Sequence, residues 1–191
     1  MNYIDFHTHH PSREYETVIC QGIHSWGIHP CSIPPHWESC TPPPHLVAIG
    51  ECGLDKTSPT PLATQMQVFQ QHIRWSQAYG RPLIIHCVHA LDELLLLRRQ
   101  QRNPVPWIFH GFRGKTRQLQ SLLSFGFHVS FGFRFAEESL RACPLDRMLL
   151  ETDAEERPVG LLYERVSAVL DVPLSVLTDR MQHNYDTLFP F

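Results

Sequence analysis

The sequence predicts an α/β fold built on a mostly parallel sheet, and three observations carry that expectation. Strand-like and helix-like segments alternate along most of the 191 residues, the order in which crossover helices cover a parallel sheet. Several strand-like segments are continuous apolar runs, such as Pro82-Leu83-Ile84-Ile85, the pattern of strands buried on both faces. Histidines and acidic residues recur at the C-terminal ends of those runs. In a TIM-like (β/α) barrel such ends converge on the face that carries the active site, so a barrel is the expected architecture.

The first strand is Asp5-Phe6-His7-Thr8-His9. Side chains two apart on a strand share a face, so His7 and His9 aim at one point. Thr17-Val18-Ile19-Cys20 is a short β run, and His24-Ser25-Trp26-Gly27-Ile28 is another, ending in His29-Pro30. Residues 30–45, with Pro42-Pro43-Pro44, read as a surface loop with a short helical turn around Pro35 to Ser39. Leu46 to Gly50 is a strand, followed by Glu51-Cys52-Gly53-Leu54-Asp55. Thr60 is the expected cap of the next helix, with Pro61 at its first position. Leu62, Met66, Phe69 and Ile73 form that helix's apolar stripe, and Gly80 closes it. Pro82 to His86 is a strand, Leu91 to Arg99 a leucine-rich helix, and Val105 to His110 a further strand.

Residues 115–124 read as a helix stopped by Gly126, and Phe127 to Phe131 as a strand. A short helix at Glu137 to Ala142 leads to the strand Arg147 to Leu150, which ends in Glu151-Thr152-Asp153. Two last helices fit Val159 to Leu170 and Leu174 to Tyr185. Strand ends fall near residues 9, 29, 50, 86, 110, 131 and 151, roughly 20 to 36 residues apart, which suits β-α crossovers. Between 9 and 29 no convincing helix is seen, so the barrel is expected to be shortened in its second unit. A single domain over residues 1–191 is expected.

Composition narrows the function. A net charge of -3 argues against a broad basic nucleic-acid surface. It leaves room for a phosphate pocket whose positive charge comes from metal ions. Six cysteines without a C-x-x-C pair read as the free thiols of a cytoplasmic protein. Nothing at the N-terminus reads as a signal peptide, and no apolar run approaches a membrane span. Thirteen histidines are the anomaly.

His7, His9, His29, Glu51, His86, His110 and Asp153 all sit at or just past expected strand ends. Imidazole and carboxylate ligands suit zinc, manganese, magnesium or iron. They outnumber what one structural zinc needs, and none is a cysteine. Two divalent metal ions sharing a bridging carboxylate, in a site for hydrolysis, are the natural chemistry.

The chain resembles the TatD-like family of metal-dependent hydrolases, whose members are of deoxyribonuclease type. The motifs run nearly end to end: the H-x-H of His7 and His9, Gly27-Ile28-His29-Pro30, and Ile49-Gly50-Glu51-Cys52-Gly53-Leu54-Asp55. Gln65 and Phe69, Pro82 to His86, His110-Gly111-Phe112-Arg113-Gly114, Leu150-Glu151-Thr152-Asp153, and Asn184 with Phe189 follow in order. The resemblance implies one metal on His7, His9 and Asp153 with Glu51 bridging, and a second on His86, His110 and Glu51. It implies that Asp153 orients or deprotonates the attacking water, and that the substrate is DNA or a smaller phosphoester.

Substrate contacts are expected from His29, Arg113 and Lys115. The segment between His9 and Gly27 is shorter than in ordinary members, and Glu155 and Glu156 stand where the family usually has proline. Both departures point toward a smaller phosphoester. The alternatives are an amidohydrolase-like enzyme cleaving a small-molecule C–N or C–O bond, and a metal-binding barrel whose catalysis has decayed.

Asp55 is expected to fix its own loop by hydrogen bonds, and Lys56 is a candidate to face the site. His10, His24, His36, His45, His72, His89, His128 and His183 read as surface or loop residues, and Trp75 and Met66 as core.

Overall fold

Parallel strands joined by helices make up both units into which the chain divides, residues 21–110 and residues 1–20 with 111–191. The structure, a computed structural model, describes residues 3–10, 17–101 and 105–190. In chain order the strands are β1 (Ile4–Thr8), β2 (Thr17–Cys20), β3 (Ser25–Trp26), β4 (Ala48–Asp55), β5 (Leu83–Val88), β6 (Trp107–Phe109), β7 (His128–Phe131) and β8 (Met148–Leu150). The helices are α1 (Leu62–Tyr79), α2 (Leu91–Arg99), α3 (Thr116–Ser124), α4 (Glu137–Ala142), α5 (Val159–Leu170) and α6 (Leu174–Leu188), with 3₁₀ turns at Trp37–Ser39 and Leu145–Arg147. Among the described residues no helix lies between β1 and β3. None of the described helices is long and apolar enough to cross a membrane.

In residues 21–110, β3, β4, β5 and β6 pair in that order, all parallel. Leu83, Ile84 and Ile85 of β5 are fully buried, the reason the run is continuously apolar. The expected end of β4 at Gly50 is corrected: the strand continues through Asp55, paired with β5 up to Val88. Its register against β5 shifts between Ile49 and Cys52, an irregularity of the sort that re-aims a side chain beside active sites. Gly50 and Gly53 bracket Glu51 with φ of +143° and +141°, and a Cβ at either would collide with a β5 carbonyl, Ile84 O or His86 O. The glycine spacing of the motif is therefore the condition for β5 to approach a strand that presents Glu51.

Helix α1 departs from expectation at its start and on its face. Pro61 is its N-cap, and Thr60 offers its carbonyl to Gln65 Nε2 at 2.7 Å instead of capping with its hydroxyl. The buried face is Gln65, Val68, Phe69, His72, Ile73 and Ser76, while Leu62, Met66 and Trp75 are only half-buried. Three buried polar side chains take the place of apolar ones because each satisfies loop backbone. Gln65 Oε1 accepts from Asp55 N–H at 2.7 Å and its Nε2 donates to Asp55 O at 2.9 Å. His72 is likewise not a surface residue: it is fully buried and accepts Ile28 N–H at Nε2, 2.8 Å away. Burial pushes its pKa down to about 4, despite its bond to Val68 O.

In the other unit β1 pairs with β2 and β7 with β8, again in parallel. The backbone past β8 joins β1 directly: Asp153 N–H donates to His7 O at 2.9 Å and His9 N–H to Asp153 O at 3.0 Å. The buried Asp5 carboxylate accepts Thr152 N–H at 2.9 Å and the Thr152 hydroxyl at 2.7 Å. Tyr163 of α5 donates to Ile4 O at 2.9 Å, and Asn184 of α6 donates to Leu145 O and Met148 O. The C-terminal asparagine motif is thus a brace for the β8 segment. Its companion Phe189 is buried against Phe6, ring centroids 6.0 Å apart. His128 lies in β7 and not in a loop, and burial, with Arg147 next, pushes its pKa down to about 4.

Candidate metal centre

Three imidazoles surround one carboxylate oxygen in residues 21–110. Glu51 Oε1 lies 2.8 Å from His110 Nε2, 2.9 Å from His86 Nδ1 and 3.2 Å from His29 Nε2. Glu51 and His110 are buried, and the bulged, glycine-flanked β4 turns the carboxylate toward the end of β5. His86 belongs to β5 and His110 follows β6 directly. His29, Glu51 and His86 each offer one ligand atom within 4.8 Å of the others, a donor set suited to a divalent ion.

The tautomers separate these histidines by role. His86 Nε2 lies 3.0 Å from Asp55 Oδ2 and its Nδ1 2.9 Å from Glu51 Oε1; the tautomer protonated on Nε2, held by Asp55, is the one that frees Nδ1 to ligate an ion. A ligating histidine whose other nitrogen donates to a carboxylate is the usual arrangement at metal sites. His29 is reversed. Its Nδ1 accepts Cys31 N–H at 3.1 Å, so its proton sits on Nε2, which is a donor toward Glu51.

Asp55 fixes its loop as expected, its Oδ1 accepting Thr57 N–H at 2.7 Å and the Thr57 hydroxyl. It also steadies His86. Burial alone would raise its pKa, but the bonds from Thr57, His86 and Cys31 outweigh that and bring it down to about 2. Lys56 turns out to pair with Glu93 at 2.8 Å.

In the other unit His7, His9 and Asp153 bring one ligand atom each within 4.8 Å of the others. His7 is fully buried, and His9 Nε2 lies 3.3 Å from Asp153 Oδ1 with 41% and 28% of the two side chains exposed. The two-residue spacing on β1 sets the histidine pair. Asp153 joins it through the backbone bonds to His7 and His9, with φ at +56°, a left-handed conformation that aspartate tolerates better than most residues. His10 takes part only at the edge, its Nε2 3.2 Å from Ala154 O.

Beside Asp153 opens a cavity of about 490 Å³, lined within this unit by Arg113, Arg134, Glu151 and Glu155 among others. Arg113 is in its wall. Lys115, exposed ahead of α3, is not. Glu151 is the residue that sequence reasoning passed over. It is fully buried, accepts a hydrogen bond from Ser130 Oγ, and brings a carboxylate oxygen within 4.8 Å of one of Asp153. Its signal was the L-E-T-D motif itself, in which only the aspartate had been given a role.

The family model described as TatD related DNase matches residues 4–189. A human protein named 3'-5' RNA nuclease TATDN2 is 29% identical over 174 residues, covering 76% of this chain and 23% of its own. The 3'-5' ssDNA/RNA exonuclease TatD of Edwardsiella piscicida is 34% identical over 122 residues, covering 58% of this chain and 46% of its own. Both matches span less than half of the relative's length. Among solved structures, YJJV, a TatD homologue from Escherichia coli K12, superposes with a TM-score of 0.75 at 20% identity, covering 93% of this chain and 79% of its own. That likeness bears on the fold, which is the α/β, TIM-like class expected from the sequence.

Proposed function

The chain belongs to the TatD-related DNase family, and from that premise we propose that it hydrolyses phosphodiester bonds in DNA or a smaller phosphoester, using two divalent metal ions. The single observation that carries the reading is the convergence of His29, His86 and His110 on Glu51, with His86 steadied from behind by Asp55. His86, His110 and Glu51 would hold one ion, and His7, His9 and Asp153 the other. Glu51 is the carboxylate that the family resemblance makes common to both. Zinc, magnesium and manganese all suit such ligands.

When bound, the ions supply positive charge to the phosphate oxygens and acidify water. The chain's own groups do the rest. Asp153, partly exposed at the cavity, accepts the proton of the attacking water and orients it. His29 donates from Nε2 to a phosphate oxygen, because its Nδ1 is occupied by Cys31 N–H. Arg113, with Lys115 two residues on, supplies anion-binding charge. The whole of residues 1–191 acts as one hydrolase domain in this reading. Its free cysteines support a cytoplasmic site of action.

The test is hydrolysis of single-stranded DNA and of a chromogenic phosphodiester after metal removal and re-addition. Activity should return with metal, and Glu51→Ala should lose on the order of a thousandfold or more. Metal-loaded protein that cleaves neither substrate would overturn the reading in favour of small-molecule C–N or C–O hydrolysis, or of decayed catalysis.

A further inference from the structure

Resting on the hydrolase reading, we propose that the cavity beside Asp153 seats a second, non-reacting phosphate of a short substrate, held by Arg113 and Arg134. The cavity, about 490 Å³, falls within the range of about 300–1,000 Å³ typical of small-ligand sites. It suits one or two nucleotide-sized groups rather than a duplex. Both arginines line it and both are exposed. No hydrogen bond or ion pair with another described residue is seen for either, and the charge of Arg134 acts on its wall neighbour Glu155.

The neighbouring arginines are engaged in building the wall. Arg157 donates to Glu155 Oε2 at 2.9 Å and stacks on Phe133 at 3.9 Å from its ring centroid. Arg165 donates to Phe133 O at 2.7 Å and covers the Phe135 ring at 4.3 Å. Phe133 and Phe135 are themselves buried. Arg134 therefore follows a residue whose carbonyl is pinned by Arg165, and it lines the cavity. A guanidinium carries donors in a planar fork that matches two oxygens of a phosphate.

Carboxylates share the wall with the two arginines. Glu155, paired with Arg157 and also under the charge of Arg134, lines the cavity together with Glu156 and Asp153. A compact anion can meet two arginines there. The substrate class is thus a short phosphoester with one scissile phosphate and one more that only anchors. Arg134 is a specificity-determining residue that the family motifs do not mark.

Thymidine 3',5'-bisphosphate has no phosphodiester to cleave and serves as the probe. It would be titrated calorimetrically against thymidine 5'-monophosphate, into metal-loaded protein and again after chelation. Wild type should prefer the bisphosphate by about tenfold, the scale of one charge-assisted contact at a partly exposed site. Arg134→Met should bring that ratio near one, and Arg141→Met, outside the cavity wall, should leave it intact. Equal affinity of wild type for both probes, or a preference that survives in Arg134→Met, would overturn the proposal. Because nothing is cleaved here, loss of the hydrolase reading shows up in the turnover assay and loss of this one in the binding ratio.

Discussion

The ligand group around Glu51 and the group of His7, His9 and Asp153 are held in place by different means. Around Glu51 the side chains are fixed by partners of their own, Glu51 and His110 buried and His29 and His86 half-buried: Asp55 stands behind His86 and Cys31 N–H behind His29. His72 reaches the same loop from α1 by accepting Ile28 N–H. In the other group His9 and Asp153 are partly exposed, and the backbone ladder between β1 and the segment past β8 aligns them. Side-chain bracing sets tautomer and ring orientation, which backbone bonds leave open. The Glu51 group is therefore the more preorganised of the two.

The sharpest way to break that comparison is Asp55→Asn. It keeps shape but removes the charge that holds the His86 proton on Nε2. Affinity for the ion on Glu51, His86 and His110 should fall about 10–100-fold, read by competition with a chelator. The ion on His7, His9 and Asp153 should be little changed. Equal losses at both sites, or none, would mean the bracing does not matter.

Next in size is the pH dependence of His72. Its pKa is about 4 folded against the ordinary 6.5, so between those values the unfolded chain takes up a proton that the folded one refuses. Stability is then full above 6.5, falls as pH falls toward about 4, and levels off below. From pH 7 to pH 5 the loss should be roughly 2 kcal/mol. His128, also brought to about 4, adds a slope of the same sign. The comparison of wild type with His72→Gln in urea melts across that range isolates the His72 share. An unchanged slope in His72→Gln would remove His72 from the bracing.

Smallest should be Lys56→Ala. The Lys56–Glu93 pair is partly exposed on both sides, and such pairs contribute about 1 kcal/mol or less. Thermal midpoint should move little and turnover not at all. A large loss of turnover would return Lys56 to the substrate side.

Much of the site is legible without coordinates because it lies in short motifs with strict local geometry. His7 and His9 share a strand face, and Glu51 sits between two glycines. Reading failed where a side chain's role depended on distant backbone. His72 looked like any helical histidine, and nothing local to α1 announces that its partner is Ile28, 44 residues away. Glu151 was legible as a motif letter but not as a buried carboxylate meeting Ser130. The α1 stripe holds at Phe69 and Ile73 but misses Gln65 and Ser76, because apolar periodicity cannot register polar side chains buried to satisfy backbone carbonyls.

By itself, the order of residues determined the α/β class, the alternation of strands and helices, and the identity of the candidate ligands. These follow from periodicity, glycine spacing and donor chemistry, all of which act over a few residues. Only the tertiary structure decided which nitrogen of each histidine faces Glu51, that Asp55 stands behind His86, and that Arg134 joins Arg113 at one cavity. Hydrogen-bond direction and cavity lining depend on atoms brought together from far along the chain, and sequence spacing carries no record of such meetings.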